Sequence, residues 1–180
     1  MMELTLFLQI CMGFFGIIGF LHGVYREFVA TLGIVLGLWL ITEFDWVLNV
    51  VLNVHDPGLN FAFSALLLII FVFFAYQQAP TTFVPSRYRK GRGIRLPEYK
   101  GWQMRLMGAV LGAFNGYLVV GSLWYFMDQF EYPLSSLFMM PVSGSNSAEF
   151  VNNLPLVWLQ QNNLLLAIII AIVVLVIVFR

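Results

Sequence analysis

Charge is what this chain is shortest of. Only 10% of its 180 residues are Asp, Glu, Lys or Arg. Soluble domains carry about 25%, so a water-facing surface could not be covered. That excludes a soluble globular enzyme, a disordered chain and a collagenous or coiled-coil fibre. Nine basic residues offset nine acidic ones, which argues against nucleic acid or an acidic partner. The single cysteine, Cys11, allows neither an intramolecular disulfide nor a CxxC redox or zinc site. HExxH, GxSxG and P-loop signatures are missing, and no two ionisable groups are spaced to work together in mid-membrane. No catalytic, cofactor-binding or metal-binding residues are therefore expected. Met1-Met2-Glu3 puts no positive region before the first apolar run, so the first helix is expected to be retained and not cleaved as a signal.

Apolar surface is what the chain has in quantity. Hydrophobic residues make up 61% and aromatics 17%, with a mean hydropathy of +0.87. An integral membrane protein is the remaining class. Spanning a hydrocarbon core about 30 Å thick takes roughly 20 apolar residues as helix. Five stretches approach that length: 4–21, 28–42, 60–76, 106–127 and 164–179. They run continuously instead of alternating, which selects helices over a β-barrel. The expected fold is an all-α bundle of about five transmembrane helices forming one membrane domain over 1–180.

Arg87, Arg89, Lys90, Arg92, Arg95, Lys100 and Arg105 lie on one connection, 77–105. The positive-inside rule makes it cytoplasmic. Counting crossings outward from it places Arg26 and Arg180 on the same side, and His22 and His55 on opposite sides. Glu43, Asp45, Asp56, Asp128, Glu131 and Glu149 fall on the outer connections. The N-terminus is expected outside and the C-terminus inside. Asn49 and Asn53 give the stretch 45–56 one polar edge, as an interfacial or re-entrant helix would have. In the outer loop, 128–163, Ser143 to Ser147 reads as a flexible loop, and 150–159 is apolar enough to lie on the membrane.

Small residues recur at helical spacing. Gly13, Gly16, Gly19 and Gly23 share a face of the first span, Gly33 and Gly37 pair in the second, and Gly108, Gly112 and Gly116 repeat in the fourth. Lipid tails are as apolar as leucine, so helices associate where small residues let backbones approach. A thin-walled pore is the other reading of these faces. Asn115, deep in the fourth span, needs a partner across a helix interface, and Gln9 has the same need nearer the outer end. Arg26 and Glu27 read as an interfacial charge pair at the inner mouth of the first hairpin. The carboxylate there is favoured by a helix N-terminus and the guanidinium by lipid phosphates. The run Arg87, Arg89, Lys90, Arg92 and Arg95 reads as a lipid-headgroup anchor or a docking site for a partner.

Two stretches resemble the colicin V production protein family. Gly16-Ile17-Ile18-Gly19-Phe20-Leu21-His22-Gly23-Val24-Tyr25-Arg26-Glu27-Phe28 is similar to its first hairpin, and Arg105 through Gly116 to its last conserved helix. His22 and Asn115 stand where that family commonly has arginine. The basic stretch around Arg89 and the final apolar helix go beyond its usual four-span core. The resemblance covers about residues 3–130. It implies a non-enzymatic, multi-pass protein of a bacterial inner membrane, working in toxin production, export or envelope maintenance. The alternative is an accessory subunit of a respiratory or photosynthetic complex, suited by the added helix. Membrane lipids are the expected surroundings, with a larger complex or a homo-oligomer as partner and no nucleic acid.

The expected topology is open to a direct check. In a Cys11→Ala background, a cysteine at Ser143 should react with an impermeant maleimide added outside intact cells, and one at Gly91 should not. The reverse pattern inverts the assigned orientation.

Overall fold

The computed structural model describes residues 4–46, 56–78, 101–134, 138, 140–142 and 144–178. The expected helix over 45–56 and the cationic side chains from Arg87 to Lys100 lie essentially outside these residues, as does His55. Four long helices dominate: α1 (Leu4–His22), α2 (Val24–Trp46), α3 (Pro57–Gln78) and α4 (Gly101–Gln129). Three short elements and a turn follow: α5 (Asn146–Val151), α6 (Pro155–Gln160), a 3₁₀ turn at Gln161–Asn163, and α7 (Leu164–Val178). The first four are each long and apolar enough to cross a membrane. A fifth crossing exists if the segments Asn146–Gln160 and Leu164–Val174, bent by 47° from one another, act as one.

Gly23 sets the geometry of the first hairpin. Its φ of +81° lies in the left-handed region, which glycine enters without a Cβ penalty and which terminates helices. Its N–H still donates to Gly19 O at 2.8 Å, so α1 ends there and α2 starts at the next residue. The second helix is longer than the apolar run 28–42 because its first turn takes in Arg26 and Glu27. α1 and α2 diverge from this point, and α4 enters between them. α1 makes its main contact with α4, and α2 packs on both α4 and α3.

Depth along the bundle follows from these contacts. At the hairpin end Gly19 lies against Gly108 and Gly112, and Gly116 meets Phe15 and Met12. At the far end Leu4 and Leu8 join Trp124, Met127 and Leu154 in one buried cluster. α1 is therefore antiparallel to α4. Gly33 faces Ala75 and Gly37 faces Phe71, which sets α3 antiparallel to α2. Between the two ends Ile34, Leu38, Leu68, Leu118 and Val119 form a buried apolar layer.

The distribution of polarity is inverted relative to a water-soluble bundle. Ile10, Phe14, Ile17, Leu21, Leu66, Ile69, Phe73 and Val110 are exposed on the outer faces. Glu27, Asn60, Ser64, Asn115 and Ser122 are buried inside. Such continuous apolar surface is far larger than a monomer keeps in water. It suits lipid, where polar groups must find their partners within the protein.

The far end carries a lid of short helices. Ser145 caps α5, its Oγ accepting from Ala148 N at 3.2 Å, so part of the expected flexible loop is a helix start. Pro155 opens α6, where its missing N–H costs nothing, and its ring rests on Gly121. Trp158 Nε1 donates to Tyr117 Oη at 3.1 Å, and Tyr117 Oη donates to the Asn153 carbonyl. Beyond α4, Tyr132 folds back. Trp124 Nε1 donates to its hydroxyl at 3.2 Å, and the hydroxyl reaches Asp128 Oδ1 at 3.1 Å. Burial, helped by the Asp128 charge, pushes the Tyr132 phenol up to about 12.

A built Cβ separates the glycines sharply. At Gly112 it would strike Phe15 O and lie 2.9 Å from Gly19 Cα, whereas at Gly13 it meets nothing within 4 Å. Gly112→Leu should thus lower stability by about 3 kcal/mol through overpacking. Gly13→Leu should stay within about 1 kcal/mol of wild type. Thermal unfolding in mild detergent distinguishes the two, and equal effects would contradict the α1–α4 contact.

Candidate functional site

The most unusual group in the bundle is Glu27. It is 0% exposed, one turn beyond the Gly23 break, in a helix long and apolar enough to cross a membrane. A charged or protonatable side chain isolated in hydrocarbon is costly and is retained only with partners. Glu27 has them on three other helices.

From the end of α1, His22 Nδ1 lies 2.8 Å from Glu27 Oε1. From α3, Tyr76 Oη donates to Oε2 at 2.8 Å. From α4, Asn115 Nδ2 donates to Oε2 at 2.9 Å and to the Glu27 carbonyl at 3.1 Å. Thr31, one turn along α2, completes the ring. Its hydroxyl lies 2.7 Å from Asn115 Oδ1 and 2.8 Å from the Glu27 carbonyl, with one proton to give to either. Both carboxyl oxygens and both ends of the Asn115 amide are occupied.

The His22 side chain is 26% exposed and stacks at an angle against the Tyr76 ring, with centroids 6.1 Å apart. Arg26 reaches over the end of α3, Nη2 donating to Tyr76 O at 3.4 Å, where a cation complements unpaired carbonyls. Its Nε is buried and makes no hydrogen bond among the described residues. Nearby, the Arg105 guanidinium lies 5.9 Å from the centre of the Phe20 ring. Farther from the hairpin end, Leu38, Leu68 and Leu118 are buried together in the apolar layer.

The residues singled out in the sequence are distributed unevenly around this site. Asn115 is central to it, joining α4 to α2. Glu27 is enclosed within the protein, because α4 and α3 close over the first turn of α2. Arg26 points to the end of α3, half-buried. Gly19, Gly108, Gly112 and Gly116 lie where α1 meets α4, and Gly33 and Gly37 where α2 meets α3; Gly16 contacts Ala113. A Cβ built at Gly13 meets nothing within 4 Å, so Gly13 lies off the packed face; the Gly23 backbone lies against Gly108, whose own built Cβ would come within 2.8 Å of it. Gln9 is exposed on α1. Tyr76 and Thr31 carried no signal in the sequence, since a tyrosine at a helix end and a threonine in a helix are ordinary. Only the need of a buried carboxyl for donors could have pointed to them. Among the described residues, no three His, Cys, Asp or Glu side chains converge as metal ligands do.

No family model, curated protein or solved structure matches this chain.

The network makes a stability prediction. Asn115→Leu leaves Glu27 Oε2 short of a donor and should cost about 2–4 kcal/mol. Adding Glu27→Leu removes the stranded group, so the double variant should lose less than the two single losses summed. Additive losses in detergent melts would contradict a direct contact.

Proposed function

We propose that this chain is a non-enzymatic, multi-pass protein of a bacterial inner membrane that works in toxin export or envelope maintenance, with the Glu27 cluster as its working centre. The hairpin end faces the cytoplasm in this reading. The observation that carries it is the meeting of two stretches far apart in sequence, 16–28 and 105–116. These are the stretches that resemble the colicin V production family. Gly19 packs on Gly108 and Gly112, and Glu27 bonds Asn115. The two positions where this chain departs from that family's arginines, His22 and Asn115, are both direct partners of Glu27. The departures are thus confined to one enclosed site, where they change how a carboxyl is held and leave the α1–α4 contact in place. A buried ionisable residue within a membrane domain marks function by default.

Gene deletion tests the reading. Loss of peptide export or of resistance to envelope stress is expected, restored by the wild-type gene and not by Glu27→Leu expressed at equal level. Normal export and resistance in the deletion strain would overturn it. A defined set of larger subunits co-purifying in mild detergent would instead make the chain an accessory subunit of a respiratory or photosynthetic complex.

A further inference from the structure

Glu27 is held by two different kinds of group. Tyr76, Asn115 and Thr31 are neutral, Asn115 fully buried and the other two half-buried, and they orient the carboxyl and its backbone. His22 brings a two-nitrogen ring into direct contact with a carboxyl oxygen, 2.8 Å, and is partly exposed at the hairpin end. An imidazole between solvent and a buried carboxyl can accept a proton at one nitrogen and release one from the other. The structure therefore places an exchangeable proton carrier against an enclosed proton acceptor.

Polar side chains continue along the same seam beyond the apolar layer. On α4, Asn115, Ser122 and Gln129 recur every seven residues, so they lie near one face. Ser122 is 0% exposed and its Oγ has no hydrogen-bond partner among the described residues. Past it, Thr42, Ser64, Gln129 and Gln160 contribute to the lining of a cavity of about 60 Å³ between α2, α3, α4 and α6. That is room for water beside polar walls. The two polar regions are separated by Leu38, Leu68 and Leu118, each 0% exposed.

We infer that Glu27 is a membrane-buried proton-binding site, filled and emptied from the hairpin end through His22. The ligand is the proton itself: His22 passes one to a Glu27 carboxyl oxygen and is reprotonated from solution, and release runs in reverse. The apolar layer lies farther from the hairpin end, so the cluster is a one-sided proton well and not an open channel. The groups bonded to the Glu27 carboxyl are His22 from α1, Tyr76 from α3 and the neutral Asn115 from α4, while Arg26, the neighbouring cation on the same helix, turns to the Tyr76 carbonyl. This inference rests on the cluster's geometry and stands independently of a role in export.

The test uses the full-length protein in phospholipid vesicles and dicyclohexylcarbodiimide, an apolar reagent that requires a protonated carboxyl. The carboxyl proton moves to a carbodiimide nitrogen while the carboxyl oxygen bonds the central carbon. An oxygen-to-nitrogen acyl shift then leaves a stable N-acylurea, with no atom lost. Peptide mass mapping should find the adduct on Glu27, formed more slowly as pH rises. In His22→Gln the pH profile of labelling should shift, although the folded protein's melting behaviour stays close to wild type. Three results would each overturn the inference: labelling of Glu27 only after denaturation, labelling independent of pH, or a pH profile unchanged in His22→Gln. Protection by sodium or lithium ions at constant pH would also overturn it, by making the site one for a metal cation.

Discussion

A carboxyl group taken out of water must have its oxygens met by donors, and in this protein that requirement organises the bundle. Glu27 lies in the first turn of α2, where the next helix could not reach it unless α3 and α4 came close at the same depth. Tyr76 and Asn115 supply the donors from those helices, and His22 from the end of α1. All four long helices are thus tied at one level. Breaking one tie leaves a polar group in an apolar surrounding, which is far more costly than losing one ordinary hydrogen bond.

Close approach of the backbones makes this possible. At Gly19, Gly108 and Gly112 a methyl group would already collide with the neighbouring helix. Bulkier residues there would push α4 away from α1 and withdraw Asn115 from Glu27. The left-handed Gly23 contributes differently, by turning the chain within one residue so that His22 and Glu27, five positions apart, face each other. Packing, turn and polar network therefore depend on one another, and the apolar outer faces leave lipid as their natural surrounding.

Much of the architecture was legible in the sequence. Apolar runs long enough to cross a bilayer gave the four long helices, and Asn115 announced its need for a partner across an interface. Helix ends were less legible, because Arg26 and Glu27 look like the polar boundary of a span. Linear position gives distance along a helix but not whether other helices close over it, so the enclosure of Glu27 within the protein did not show. Spacing likewise grouped Gly13 with Gly16, Gly19 and Gly23, although Gly13 faces open space and Gly23 serves a turn as well as the contact with Gly108. Ser145 shows the same limit on a smaller scale, since a loop-like Ser-Gly-Ser run and a helix cap share their residues. Tyr76 and Thr31 were silent because their importance comes from what they touch.

The central claim is that the Glu27 carboxyl is enclosed and bonded to Asn115. Magic-angle-spinning NMR of the protein in lipid bilayers, with the Glu27 side-chain carboxyl carbon and the Asn115 side-chain nitrogen labelled, measures this directly. A strong dipolar contact between the two nuclei is expected from the 2.9 Å bond, together with little magnetisation transfer from bulk water to the carboxyl. A missing contact, with the carboxyl freely hydrated, would contradict the account.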